Sequence, residues 1–318
     1  MSQAPYMGVI LAAGKGVRMQ PFSAHLPKPL LPVLNRPLIE HHLELMQNTG
    51  ITDVVVVIGT PGTPGTLGAD IETALAGWAA RGVNIRFVEQ SRPQGIAHAV
   101  GAVEPVVDRP FLLLLGDVYF TPRDLPRMFA MLDEGYGAVL AAVEEPDPEA
   151  IRRNFAVILG PDGRVTRVIE KPHHPPTRLK GCGVYLFDVS FFDAIRRTPR
   201  SALRDEYEIT DAIQVFIDDG YRVGVAEGVA DDVNLTHPSD IWALNLRELD
   251  RLGERALVHP SAVVDPGAEI TRAVVGAGAK VGPVRLEDAL VFPDAVVDAD
   301  ARTCVVTPHG RVAIEAPQ

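Results

Sequence analysis

The chain has 318 residues, of which 47% are hydrophobic, and its formal net charge is −11 at pH 7. This length suffices for one large α/β domain and a smaller module. The acidic balance excludes a general nucleic-acid binder, which needs a basic surface. Cys182 and Cys304 have no metal-type spacing, which favours free thiols in a reducing cytosol. The sequence shows neither a signal peptide nor a membrane-length apolar run, so we expect a cytoplasmic protein.

Strands and helices are predicted to alternate through the first half of the chain. The run from Val54 to Ile58 is continuously β-branched, as in buried parallel strands. The elements are, in order, strand 7–12, helix 37–47, strand 54–58, a Pro/Gly loop at 60–68, helix 69–81, strand 85–88, helix 96–103 and strand 111–115. This alternation predicts a parallel sheet whose carboxyl strand ends form one ligand-binding edge.

The middle of the chain has a different pattern. Residues 156–159 and 165–169 flank a Gly-Pro-Asp-Gly turn and predict a β-hairpin. Another strand is predicted at 183–187, and helices are predicted at 191–197, 209–218 and 238–252. We therefore expect a Rossmann-like mixed, mostly parallel sheet flanked by helices.

The tail changes character near Gly253. From Val258, apolar residues recur about every six positions, with small residues between them, as in a hexapeptide β-helix. The alternative is a set of ordinary short strands. We favour a short, left-handed β-helix-like module at 253–318 that follows a catalytic domain at 1–252.

A glycine turn follows the first strand. Gly14, Lys15 and Gly16 are followed by Arg18 and by Lys28, which lies between two prolines. Glycines let backbone N–H groups close on an anion, and the cations supply positive charge. The turn is neither a Walker A loop, since no Gly-Lys-Ser/Thr closes it, nor a dinucleotide fingerprint, since Met19 replaces the third glycine. It therefore predicts a different kind of phosphate site.

The run from Leu11 to Met19, together with Pro27-Lys28-Pro29-Leu30, resembles the signature of sugar-1-phosphate nucleotidyltransferases. These enzymes condense a sugar 1-phosphate with an NTP to give an NDP-sugar and pyrophosphate. One departure is Val17, where the family usually has Thr or Ser. The resemblance extends through about three-quarters of the chain. It implies the fold of nucleotide-diphospho-sugar transferases and two substrates, a nucleoside triphosphate and a sugar 1-phosphate.

The resemblance also implies roles for individual residues. Arg18, Lys28 and Asp117 would be catalytic. The nucleotide would contact Leu11, Ala13, Gly14, Lys15, Gly16, Gln90 and Gly95, and the sugar phosphate would contact Glu170, Lys171, Gly183 and Arg204. Mg²⁺ would bind Asp117, at the end of strand 111–115, and Asn234, with Asp231 and Asp232 as possible substitutes. Asp240 is expected to cap the helix that starts nearby.

The segment from Gln90 to Ala97 resembles the part of the family that reads the base. A glutamine amide can pair with an imide edge, which points to dTTP or UTP, and purine-using relatives more often have Gly-Thr-Ala here. GTP or ATP use and a non-catalytic regulatory homologue stay as alternatives. A glycosyltransferase would usually carry Asp-x-Asp, whereas this chain has Gly116-Asp117-Val118-Tyr119. His98 is expected to be structural, as is His41 or His42. The short tail is expected to cap or oligomerise the enzyme.

Overall fold

The computed structural model describes residues 5–14, 16–60, 68–202 and 204–315. Lys15 and most of the loop predicted at 60–68 lie outside these residues. The described strands are β1 (Met7–Leu11), β2 (Pro32–Val33), β3 (Arg36–Pro37), β4 (Asp53–Gly59), β5 (Asn84–Gln90), β6 (Phe111–Leu115), β7 (Val118–Pro122), β8 (Ala138–Glu144), β9 (Phe155–Leu159), β10 (Val165–Glu170), β11 (Leu179–Phe187), β12 (Val223–Ala226), β13 (Val229–Asn234), β14 (Ala256–Val258), β15 (Val263–Val264), β16 (Glu269–Val275), β17 (Lys280–Val281), β18 (Arg285–Val291), β19 (Val296–Val297), β20 (Ala301–Thr307) and β21 (Gly310–Ala313).

The α-helices match most of the predicted ones. They are α1 (Leu38–Asn48), α2 (Gly68–Leu75), α3 (Ile96–Val103), α4 (Leu125–Asp133), α5 (Pro148–Arg153), α6 (Phe191–Arg197), α7 (Ile209–Asp218) and α8 (Pro238–Leu252). The helix predicted at 69–81 is α2 followed by a 3₁₀ turn, Ala76–Arg81. Among the described residues, no helix is both long enough and apolar enough to cross a bilayer.

The chain divides into two compact units. One comprises Met1–Gly14 and His42–Asp232, and the other comprises Lys15–His41 and Val233–Gln318. Helix α8 and the segment that follows the glycine turn thus belong to the same unit as the tail strands. The division into a catalytic domain at 1–252 and a tail module at 253–318 stays a prediction.

The first unit contains a mixed, mostly parallel sheet. Its main path has the order β10-β9-β11-β6-β1-β4-β5, and β8 and β12 extend it from β11. Strands β5, β4, β1 and β6 run parallel, whereas β11 is antiparallel to β6. The α/β prediction is confirmed. Strands β9 and β10 also form the predicted antiparallel hairpin.

Apolar patterning explains why these elements pack as they do. The five residues from Val54 to Ile58 are all fully or almost fully buried, as expected for a strand covered on both faces. In α7, Ile209, Ala212, Ile213 and Phe216 are buried at a helical spacing. His42 is buried in the same unit and its Nε2 lies 2.7 Å from the Val118 carbonyl oxygen, which confirms a structural histidine in this pair. Both cysteines are free and buried.

The tail of the second unit is a parallel β-solenoid. Ala256 pairs with Ala273, and Ala273 pairs with Ala289, so successive coils advance by 17 and 16 residues instead of the 18 of three perfect hexapeptides. The three long strands each bend at a residue with φ between 47° and 49°, namely Arg272, Asp288 and Thr303. These single-residue corners shorten each coil. The β-helix-like module is confirmed, with a shorter repeat than predicted.

Candidate active site

The backbone that follows β1 stays paired through Ala12 and becomes exposed at Gly14. Register pairs Leu11 with Val57 on one side and with Leu115 on the other, and Ala12 N–H donates to the Val57 carbonyl at 2.7 Å. Ala13 is half-buried and Gly14 is exposed. A Cβ added to Gly14 would meet no described atom within 4 Å, so space remains beside this backbone for a ligand.

The cations that follow the glycine turn lie in the second unit and differ in exposure. Gly16 has φ +62°, and a Cβ there would lie 2.9 Å from Cγ of Lys28, so the loop backbone packs on the lysine stem. Lys28 is only 7% exposed. Arg18 is exposed and has no acidic partner in the part of the chain that the structure describes. An exposed guanidinium of this kind suits an incoming phosphate.

The predicted base-reading segment begins at a strand end in the first unit. Gln90 is the last residue of β5, pairs in register with Gly59 and is 7% exposed. Its Nε2 lies 2.9 Å from Nδ1 of His98 on α3. Gly95 has φ +110°, and a Cβ there would lie 2.4 Å from the Tyr207 carbonyl oxygen. Only glycine therefore fits at position 95.

Tyr207 joins the base-reading segment to the predicted sugar-phosphate segment. Its N–H donates to the Gln94 carbonyl at 2.8 Å, and its carbonyl accepts from Ala97 N–H at 2.9 Å. The two segments are about a hundred residues apart in sequence, and both belong to the first unit. The structure thus places Gly95 against Tyr207, three residues after Arg204.

The sugar-phosphate cations are surrounded by carboxylates. Arg204 lies 3.0 Å from Glu208, 3.1 Å from Glu206 and 3.6 Å from Glu170. Lys171 has φ +41° and its Nζ lies 3.5 Å from Glu170. Burial raises the pKa of the Glu170 carboxyl, against the lowering effect of Lys171 and Arg204. The pKa of Glu208 is also raised, first by burial and then by the charge of Glu170.

Gly183 has a packing reason for lacking a side chain. It lies on β11 beside β6, and a Cβ there would come within 2.9 Å of the Leu115 side chain. The glycine therefore lets the middle of β11 lie close to the end of β6. Its predicted contact with the sugar phosphate stays a prediction.

The candidate metal ligands end or follow strands. Gly116 N–H donates to the Leu11 carbonyl at 2.9 Å, and a Cβ on Gly116 would lie 2.5 Å from that oxygen. This close approach fixes the backbone just before Asp117. Asn234 ends β13. Among the described residues, no group of three or more His, Cys, Asp or Glu side chains could hold a metal ion. A single carboxylate and an amide oxygen suit Mg²⁺, which keeps several waters and binds substrate phosphates.

A buried ion pair lies beside the predicted sugar strand, and the sequence reasoning missed its lysine. Lys180 on β11 is 5% exposed, and its Nζ lies 2.8 Å from Oδ1 of Asp232 and 3.5 Å from Glu145. Asp232 was predicted as a possible substitute metal ligand, yet its charge is already compensated within the protein. This pairing favours Asn234 over Asp232. A charged residue in an apolar strand pattern was the signal for Lys180.

Asp240 caps α8. Its Oδ2 accepts from the N–H groups of Thr236 and His237, both at 2.7 Å. The predicted capping role is confirmed, and an acidic side chain in the first helical turn is also favoured by the helix dipole.

Comparison with known proteins identifies the family. A family model described as nucleotidyl transferase matches residues 7–234, more than two thirds of the chain. The chain is 36% identical to the low-salt glycan biosynthesis nucleotidyltransferase Agl11 of Haloferax volcanii, over 83% of this chain and 72% of that protein. It is 34% identical to a glucose-1-phosphate thymidylyltransferase of Streptomyces antibioticus, over 86% of this chain and 78% of that protein.

Two further relatives agree with this result. The chain is 32% identical to the UTP–glucose-1-phosphate uridylyltransferase AglF of Haloferax volcanii, over 73% of this chain and 92% of that protein. A crystal structure from Bacillus anthracis, provisionally assigned as a glucose-1-phosphate thymidylyltransferase, superposes with a TM-score of 0.66 at 25% identity and covers 77% of this chain and 96% of that one. The signature, the sheet and these relatives agree, and the chain belongs to the sugar-1-phosphate nucleotidyltransferase family.

Proposed function

We propose that this enzyme condenses a sugar 1-phosphate with dTTP or UTP and releases pyrophosphate. The observation that carries the choice of base is Gln90, a buried amide at the carboxyl end of β5, followed by Gly95 with its left-handed backbone. An amide can donate to and accept from an imide edge at the same time. Thymidylyl- and uridylyltransferases among the relatives support the same choice.

The reaction requires charge neutralisation more than acid–base chemistry. A phosphate oxygen of the sugar 1-phosphate attacks the α-phosphorus, a new P–O bond forms, and the bond to the β-phosphate oxygen breaks as pyrophosphate leaves. The nucleophile is already an anion, so no general base is needed. Arg18 and Lys28 would hold the triphosphate and stabilise the leaving group, while Lys171 and Arg204 would orient the sugar phosphate.

We propose Mg²⁺ as the cofactor, on the chemistry of the two predicted ligands. Asp117 and Asn234 would hold it, because both offer the hard oxygen ligands that Mg²⁺ prefers. When bound, the ion would neutralise charge on phosphate oxygens. Lys180 keeps Asp232 compensated, which favours the neutral amide of Asn234 over Asp232 as the second ligand.

A matrix of nucleotides against sugar 1-phosphates tests the proposal. Pyrophosphate release with Mg²⁺ should be fastest with dTTP or UTP, and Asp117→Ala should lower turnover by about a hundredfold or more while the protein stays folded. Turnover with GTP or ATP alone would overturn the assignment of the base. Near-normal turnover of Asp117→Ala would remove Asp117 from the metal site.

The remaining assignments follow from the resemblance and the sequence pattern. We propose that residues 1–252 carry the catalytic machinery and that 253–318 cap or oligomerise the enzyme, as a homo-oligomer in the cytoplasm. Size-exclusion chromatography with light scattering, on the full chain, measures the oligomeric state.

A further inference from the structure

The amide of Gln90 is held by a specific neighbour. Nε2 of Gln90 lies 2.9 Å from Nδ1 of His98, eight residues further along the chain. Gln90 is almost fully buried at the end of β5, and His98 is half-buried on α3. The start of α3 is fixed in turn, because Ala97 N–H donates to the Tyr207 carbonyl at 2.9 Å. The imidazole is therefore carried on an anchored element.

In this contact the nitrogen side of the amide faces His98. Nε2 of a glutamine only donates, so the contact holds this orientation through the tautomer of His98 in which Nδ1 is the acceptor. One amide hydrogen is used in this bond. The second amide hydrogen and the carbonyl Oε1 remain to meet a ligand, in a fixed order along the amide.

The order of donor and acceptor along the Gln90 amide distinguishes two kinds of pyrimidine. Uracil and thymine present an acceptor at O4 beside a donor at N3–H, whereas cytosine presents an amino donor at C4 beside an acceptor at N3. An amide free to rotate by 180° could pair with either edge. An amide held in one orientation pairs with one edge and opposes donor to donor and acceptor to acceptor on the other.

We propose that His98 is a positioning residue that fixes the Gln90 amide and thereby makes the enzyme select uracil or thymine over cytosine. The proposal deepens the proposed function and rests on it, since it takes Gln90 as the residue that reads the base. His98 acts through Gln90 and need not contact the nucleotide. The structural role expected for His98 from sequence becomes a role in specificity.

Two substitutions at position 98 form a matched pair. His98→Asp places an acceptor-only oxygen near the position of Nδ1 and should keep the amide orientation. His98→Leu has a similar shape but no acceptor, so it should release the amide. The measurement is the ratio of kcat/KM for dTTP to that for dCTP, and for UTP to that for CTP, by pyrophosphate release with one sugar 1-phosphate.

We expect His98→Leu to reduce this ratio about tenfold or more, which corresponds to the loss of one orienting hydrogen bond, and we expect His98→Asp to retain most of it. An unchanged ratio in active His98→Leu would overturn the proposal, even if both rates fell together, since a merely structural role lowers both rates equally. If His98→Leu does not fold, His98→Lys takes its place. It donates instead of accepting, should turn the amide round and should move the preference towards cytosine; retention of the wild-type ratio would contradict the proposal.

The wild-type enzyme separates this failure from failure of the proposed function. If wild type uses only purine nucleotides, the proposed base is wrong and the inference fails with it. If wild type prefers dTTP or UTP and the ratio is insensitive to position 98, the proposed function stands and only the role of His98 is lost.

Discussion

Two of the cations predicted to bind phosphate, Arg18 and Arg204, have opposite surroundings. In the second unit, Arg18 is exposed and has no acidic partner among the described residues. In the first unit, Arg204 lies within 3.6 Å of three carboxylates, and Lys171 contacts one of them. An uncompensated cation attracts any multiply charged anion, whereas a compensated one binds phosphate only when the exchange for carboxylate is favourable. We infer that Arg18 contributes mainly to the affinity for the triphosphate. The Arg204 group contributes mainly to the selectivity for the sugar 1-phosphate.

Removal of Arg18 should have the largest effect. We expect Arg18→Ala to lower turnover by about a hundred- to a thousandfold, because an uncompensated guanidinium in the proposed triphosphate site is lost. Pyrophosphate release measures this loss, and circular dichroism checks the fold. Arg302→Ala is the matched control, since Arg302 is an exposed arginine of the tail that pairs with Glu287. Equal rates for the two variants would contradict the assigned role.

Removal of Arg204 should act on one substrate. We expect Arg204→Ala to raise the KM for the sugar 1-phosphate by about ten- to a hundredfold, with a much smaller change in the KM for the nucleotide. Steady-state kinetics with each substrate varied in turn give both values. Arg200→Ala serves as the control, because Arg200 pairs with Asp205 instead of the three glutamates. Equal increases in both KM values would show that the two groups do not differ as we infer.

Removal of one competing carboxylate should have a smaller and opposite effect. Glu206→Gln keeps the shape of the side chain and removes a charge 3.1 Å from Arg204. We expect the KM for the sugar 1-phosphate to fall by about two- to fivefold, as for one partly exposed ion pair. Asp205→Asn, next in sequence and outside the carboxylate group, should leave this KM unchanged. A higher KM in Glu206→Gln would mean that Glu206 binds the sugar.

The smallest effect concerns stability and pH. The folded-state pKa of Glu170 is raised, so its protonated form stabilises the folded protein at low pH, and this contribution is lost as pH rises through the raised pKa. Glu170→Gln stays neutral throughout. We expect its Tm to exceed that of wild type by about 1 to 3 °C at pH 7, with a smaller difference near pH 4. Calorimetry across this pH range measures the difference, and a pH-independent difference would contradict the raised pKa.

Local patterns predicted much of the fold. Helices α3, α6, α7 and α8 and strand β6 have the predicted bounds, because each has a clear apolar period or run with defined ends. Helix α4 was missed, although Asp124 caps it and Pro126 lies in its first turn. Strand β12 has four residues, including Gly224, and gains its stability from pairing with β8, which no local pattern reveals.

Candidate site residues can be proposed from sequence where chemistry depends on residue type. The cations, Asp117 and Gln90 are named on this ground, because phosphate, metal and base favour such side chains, and their roles stay predictions. The backbone bonds of Tyr207 to Gln94 and Ala97 could not be proposed in this way, since any residue can supply them and the partners are distant in sequence. The carboxylates around Arg204 were visible in sequence, but their effect on its charge depends on distances that only the structure gives.

The segment that follows the glycine turn and the tail are parts of one folded body. Phe22 lies 5.1 Å from Phe292 between ring centroids, and the His25 ring stacks on His309 at 3.6 Å, all within the second unit. A cut at residue 252 would leave the segment that carries Arg18 and Lys28 without its packing partners in the tail, although Asn245 of α8 would still contact Pro32 and Leu34. Chimeras that exchange tails between relatives should therefore exchange residues 15–41 together with residues 233–318. The unit that can be exchanged between relatives therefore consists of two segments that are separate in sequence.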